Sequence, residues 1–152
     1  MFKVYLSGSS REPKRVREMV ARIDALVGVE LTVGVELTQR WGELSVHGTI
    51  GEWDDGEIPR GVQEHLCRAG MRAIKSADVV FCLWPENGAT STCTVELGFA
   101  LGKGKRLVVT GRRAHECAWT ALEETYRDSS DILGLTRVAK LAAESVLSRG
   151  LR

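Results

Sequence analysis

Glu96 is the residue whose type and setting could do chemistry. It stands in the segment Thr90-Ser91-Thr92-Cys93-Thr94-Val95-Glu96-Leu97-Gly98-Phe99, which follows the apolar run Val79 to Trp84. The run predicts a buried strand and the segment after it a helix. Glu96 is then expected in the first turn of that helix, at the carboxyl end of the strand. In an open α/β sheet this is where ligands sit. A carboxylate there can attack an acetal-like carbon, form a covalent glycosyl intermediate and yield it to water or another acceptor. The leaving group needs an acid. Asp54, Asp55 and Glu86 are the carboxylates close by in the topology, whereas Asp78 stands at the amino end of the strand and reads as structural. The helix dipole alone would also favour a first-turn glutamate, by roughly a few tenths of a kcal/mol.

A second cluster is Ser7-Gly8-Ser9-Ser10-Arg11. Gly8 would let the backbone approach a ligand. Ser9, Ser10 and the amides of the following helix can hold a phosphate or hydroxyl, and Arg11 can add charge. Neither a Walker loop nor a GxGxxG fingerprint is present, so dinucleotide binding of the usual form is unsupported. Trp41 and Trp53, with Trp84, flank the site in sequence, and an indole can stack on a base. His47, His65 and His115 have no metal spacing. Cys67, Cys82, Cys93 and Cys117 lack CxxC spacing and read as plain thiols of a reducing cytoplasm. No metal and no cofactor is expected.

These residues need elements to position them. A strand over Lys3–Ser7 ends at Gly8. Pro13 suits the first position of a helix whose apolar residues recur at Val16, Met19, Val20, Ile23, Leu26 and Val27, with Gly28 as its expected cap. The hexapeptide Val-Gly-Val-Glu-Leu-Thr then occurs twice in tandem, at 27–32 and 33–38. Six is even, so a slip by one copy keeps every side chain on its face. Either copy could pair; one is expected in the sheet and the other as overhang or bulge at an edge. Residues 41–60 read as a loop with several glycines. A second helix is expected over 62–74, a strand over 79–84, a helix over Glu96–Lys103 closed by Gly104, and a strand over 106–110. Residues 112–130 are ambiguous, with a short helix expected around Ala118–Tyr126. Ile132–Leu135 is expected as a short last strand and Val138–Leu147 as the final helix, ended by Gly150.

Alternation of strand and helix predicts a parallel sheet covered on both sides. The expected architecture is a single Rossmann-like, flavodoxin-like α/β domain over 1–152, with about five strands ordered 2-1-3-4-5. The loops after the first and third strands then meet at the switch point. The length of 152 residues allows one core, and 43% hydrophobic with 27% charged residues is ordinary for a globular protein. A net charge of +1 gives no bulk attraction to nucleic acid or membrane. No transmembrane run is present, and the first apolar stretch is too short for a signal peptide.

Three segments together carry a resemblance. They are Lys3 to Ser9 (KVYLSGS), Ala77-Asp78-Val79-Val80, and Val95-Glu96-Leu97-Gly98-Phe99-Ala100-Leu101 with Gly104-Lys105-Arg106. Over about residues 3–110 the chain resembles the nucleoside 2-deoxyribosyltransferase-like family, which includes nucleoside 5′-monophosphate N-glycosidases. The resemblance implies that Glu96 is the nucleophile on C1′ of the sugar and that Gly98 lets its helix pack close to sheet or ligand. Gly8-Ser9-Ser10-Arg11 is similar to the loop with which the nucleotide hydrolases grip a 5′-phosphate, and Thr90 stands where they carry a serine. The implied activity is cleavage of the N-glycosidic bond of a nucleoside or (deoxy)nucleoside 5′-monophosphate, as hydrolase or as deoxyribosyltransferase, in a homo-oligomer of two or more chains. The chain departs from the pattern at two places: Gly70 replaces the family's aspartate in the second helix, and Thr92 the glycine four residues before the glutamate. The alternatives are a non-catalytic nucleotide-binding module and a glycohydrolase of NAD or another nucleotide signal.

Overall fold

Side chains of a strand alternate between its two faces, and the first strand shows what each face does here. In the computed structural model, which describes residues 1–9, 11–34, 60–88, 91–116 and 124–150, β1 (Phe2–Ser7) is paired on both sides. Phe2, Val4 and Leu6 enter one core layer with Val79, Phe81, Leu83 and Val108, under α1 (Pro13–Asp24) and the final helix. Tyr5 enters the opposite layer with Val80, Cys82, Leu107 and Val109. That layer is covered by α2 (Arg60–Ser76) and α3 (Ser91–Gly102). The even and odd positions of one strand thus decide which helices they meet, and Ser7 shares the odd face with Tyr5.

The sheet has the order β2-β1-β3-β4-β5 and every pairing is parallel. β3 (Val79–Leu83) is buried along its whole length, as a central parallel strand must be. β4 (Arg106–Thr110) and the short β5 (Glu124–Tyr126) follow, and α4 (Ile132–Gly150) closes the chain. Asp78 ties the amino end of the sheet, its Oδ2 accepting the Lys3 N–H at 2.8 Å.

β2 (Val29–Val33) is the edge strand, and it crosses the junction of the two hexapeptides. It pairs Phe2 with Val29 and Leu6 with Val33. A slip by one copy would replace Val33 with Gln39 and Gly34 with Arg40. Val33 is 3% exposed in the core. Burial of a glutamine amide there without a partner would cost on the order of 2 kcal/mol or more. The register is therefore set by the last paired residue, which finds no valine six residues on. Residues 35–38 of the second copy lie outside the described residues.

Four expectations are corrected. α1 stops at Asp24, so Gly28 does not cap it; at φ +76° Gly28 makes the turn into β2. α3 starts at Ser91, so Glu96 lies in its second turn, with no acid in the first. Its buried positions Cys93, Leu97 and Ala100 recur at helical spacing, which carries the helix back past Glu96. The last strand is Glu124–Tyr126, where a short helix was expected. Ile132–Leu135 is the first turn of α4: Asp128 accepts the Leu133 N–H at 3.0 Å and the Ser130 N–H at 3.1 Å, and caps the helix there.

Candidate active site

The first and third strands are neighbours although α1, β2 and α2 lie between them in sequence, so their carboxyl ends form the switch point. β1 delivers Ser7 there and α3 delivers Glu96. The Ser7 hydroxyl donates to Glu96 Oε1 at 3.3 Å. Glu96 is 7% exposed and Ser7 fully buried. Gly34, just past β2, comes against the other flank: a Cβ added to it would stand 3.2 Å from Glu96 Oε2. Glu96 also forms one wall of a pocket of about 350 Å³ between α2 and α3, lined by Tyr5, Gly70, Met71, Thr92 and Phe99 among others. The lining is almost wholly apolar. A carboxylate enclosed in this way is largely stripped of water, which strengthens its interaction with a developing cation.

A pair of thiols lies under the carboxylate. Cys82 is the sheet partner of Ser7, and Cys82 and Cys93 pack in one core layer, both buried and both free. Hydrogen bonding to Cys93, then burial and the neighbouring Cys93 and Glu96 charges, push the Cys82 thiol well above its ordinary range. Cys67 is exposed and lines the Glu96 pocket; Cys117 lies outside the described residues.

The serine loop leads off the same end of β1. Ser9 is buried, and its hydroxyl accepts the Arg11 N–H at 3.2 Å. Arg11 itself is exposed. A Cβ on Gly8 would make ordinary contacts with Val16 at 3.4 Å and Leu83 at 3.6 Å, so packing does not demand glycine there. A Cβ on Gly98 would meet nothing within 4 Å among the described residues, so the described part of the sheet does not approach it. Glu86 lines a different cleft from Glu96. Its N–H donates to Glu12 Oε2 at 3.2 Å, its carbonyl accepts from Arg113 at 2.9 Å, and it lines a cleft of about 550 Å³ beside α1. Trp84 is 3% exposed in the core, and its Nε1 has no hydrogen-bond partner among the described residues. Ser10, Trp41, Trp53, Asp54, Asp55 and Thr90 lie outside the described residues. Among the described residues no group of three or more His, Cys, Asp or Glu side chains could hold a metal, and no helix is long and apolar enough to cross a membrane.

One group had no signal in the sequence. Arg15 of α1 donates through Nε and Nη2 to Asp131 at 2.7 and 2.9 Å, and through Nη1 to the Trp84 carbonyl at 2.7 Å. It also reaches the Thr110 carbonyl at 3.2 Å and Glu12 at 3.2 Å. Burial works against its charge, but Asp131 and the other acids outweigh that and raise its pKa further. The cluster locks the carboxyl ends of β3 and β4 to α1 and α4. It holds Asp131 at φ +61° and leaves no room for a side chain at Gly111, where a Cβ would lie 2.9 Å from Arg15 Nη2.

No protein-family profile and no curated protein matches the sequence. Solved structures do. A conserved protein from Enterococcus faecalis V583 superposes with a TM-score of 0.62 at 16% identity, over 92% of this chain and 98% of that one. A 2-deoxyribosyltransferase from the psychrotolerant bacterium Bacillus psychrosaccharolyticus superposes with a TM-score of 0.64 at 17% identity, over 87% of this chain and 90% of that one. The chain has the nucleoside 2-deoxyribosyltransferase-like fold.

Proposed function

We propose that the protein cleaves the N-glycosidic bond of a nucleoside or (deoxy)nucleoside 5′-monophosphate through Glu96. A Glu96 oxygen forms a bond to C1′ as the C1′–N bond breaks, and the electron pair leaves with the base. An acid protonates the base as it departs. Water or a second base then attacks C1′ and releases Glu96, so the same intermediate serves a hydrolase or a deoxyribosyltransferase. The observation that carries the reading is the buried Glu96 carboxylate at the switch point, held by Ser7, in a residue that lines a pocket of about 350 Å³. The shared fold supports it.

The remaining roles follow from the sequence. Asp54 or Asp55 serves as the leaving-group acid, since Glu86 faces another cleft. Ser9, Ser10, Arg11 and Thr90 bind the 5′-phosphate. Trp41 and Trp53 stack on the base, and a homo-oligomer completes the site. The nucleotide-binding module remains the second reading, favoured by one observation: Gly70 and Thr92 both line the Glu96 pocket, where the family pattern has an aspartate and a glycine. Incubation with a panel of nucleosides and 5′-monophosphates, with free base measured by chromatography, decides between them. Release of base supports the enzyme. Tight binding of a nucleotide with no release supports the module.

A further inference from the structure

Gly34 is the second residue of the second hexapeptide and follows directly on β2. Its N–H donates to the Leu6 carbonyl at 2.7 Å, which extends the strand pairing one residue past β2 and clamps this backbone against the end of β1. The next residue of β1 is Ser7, whose hydroxyl donates to Glu96 Oε1 at 3.3 Å. The carboxylate is therefore enclosed by a hydroxyl on one side and a bare α-carbon on the other. A Cβ at position 34 would stand 3.2 Å from Glu96 Oε2, 3.4 Å from Oε1 and 3.0 Å from the Leu6 carbonyl oxygen. The contacts with Oε2 and the Leu6 oxygen are tighter than a Cβ ordinarily makes, so a neighbour must give by a few tenths of an ångström, while that with Oε1 is at the ordinary limit. The Leu6 carbonyl belongs to an inner strand of the sheet, whereas the Glu96 carboxylate ends a flexible side chain and is the neighbour that gives more readily. Gly34 is not among the residues at positive φ. Space, and not backbone conformation, demands glycine there.

We infer that Gly34 is a positioning residue, whose missing side chain fixes where the Glu96 carboxylate stands for attack on the anomeric carbon. The inference rests on the reading of Glu96 as nucleophile. Bond formation needs the oxygen within roughly 3–3.5 Å of its carbon and in line with the leaving group. A displacement of a few tenths of an ångström is enough to spoil that alignment in part. The tandem repeat gains a meaning from this. Its first glycine, Gly28, serves a turn at φ +76°, whereas the second, Gly34, serves as empty space beside a carboxylate. Pairing one copy further along would set Arg40 at that place.

The test is a cycle of Gly34→Ala, Glu96→Asp and the double variant, on the full chain, with a monophosphate from which the wild type releases base. Gly34→Ala should lower kcat about tenfold while KM stays within about threefold, since a full ångström of misplacement is worth about 10²-fold. In the Glu96→Asp background the carboxylate is one methylene further from residue 34, and the same substitution should change kcat by less than about twofold. Equal losses in both backgrounds, or a loss in neither, overturn the inference. A second readout needs no substrate: the ¹³C carboxyl resonance of Glu96, assigned by its disappearance in Glu96→Gln, should move in Gly34→Ala. An unmoved resonance also overturns it. If Glu96→Gln keeps the wild-type rate, the nucleophile reading falls and the positioning role with it. If Glu96→Gln is inactive while Gly34→Ala is unimpaired, the nucleophile stands and only the positioning role falls.

Discussion

Asp131→Asn removes one negative charge from the Arg15 cluster and little else. The substitution keeps size and shape, and asparagine tolerates the φ of +61° at this position. In the native chain the carboxylate accepts Arg15 Nε at 2.7 Å, Arg15 Nη2 at 2.9 Å and the Thr110 hydroxyl at 3.2 Å. The two side chains are only 16% and 5% exposed. An amide can accept one of the guanidinium N–H groups, but its NH₂ then faces the other donor. The guanidinium stays buried with Glu12 as its remaining close counter-charge, and loss of one partner of a buried pair costs about 3–5 kcal/mol. The lower end applies, because Glu12 and two carbonyls remain, so the expected loss is about 3 kcal/mol. At 152 residues that lowers the thermal midpoint by about 6–12 °C. Urea unfolding followed by circular dichroism gives the same quantity from the shift in midpoint at unchanged slope. The exposed Lys14–Glu18 pair at 4.0 Å is the control, and Glu18→Gln should leave the midpoint where it was. A loss below about 1 kcal/mol for Asp131→Asn would show that the cluster behaves as a surface ion pair, and would refute the argument.

The other predictions test separate parts of the molecule. Under native conditions a maleimide should modify Cys67 readily and spare Cys82 and Cys93, which are buried and, for Cys82, held protonated; modification of all three at similar rates would contradict the packing. Glu124 accepts Arg137 Nε at 2.7 Å, and this hydrogen bond lowers its pKa below the ordinary 4.5. Its stabilising contribution is therefore present above pH 4.5 and fades as pH falls through the lower folded value, so Arg137→Gln should flatten that part of the acid limb of stability against pH, and an unchanged limb would count against the pair. Arg11→Ala should weaken binding of a nucleoside 5′-monophosphate roughly tenfold or more and that of the nucleoside little; calorimetric titration showing equal losses for both would remove the phosphate role.

Local pattern and long-range packing left different traces in the sequence. The start of α1 was legible because Pro13 has one natural place in a helix, and β3 because a run from Val79 to Leu83 with no polar residue suits only a doubly covered strand. The strand order followed from alternation of elements, and with it the meeting of Ser7 and Glu96 at one edge. Ile132–Leu135 misled because a short apolar cluster fits either a strand or a helix; the Asp128 cap decides, and its effect is on backbone amides. A helix read from Glu96 onward puts that residue in the first turn, whereas the buried Cys93 carries the apolar periodicity one turn further back. Arg15 and Asp131 lie 116 residues apart, and nothing in either neighbourhood announces the partner. Gly34 read as one more even position of a strand, and only the approach of Glu96 shows why it is bare.

Nucleophilic catalysis by Glu96 requires a covalent bond between its carboxylate and the sugar. Rapid-quench mass spectrometry during turnover of an active nucleotide tests it most directly. Turnover should yield a protein species heavier by one sugar phosphate, with the added mass on the peptide containing Glu96, and neither that species nor free base should arise from Glu96→Gln. Wild-type base release by Glu96→Gln, or an adduct on any other residue, would contradict it.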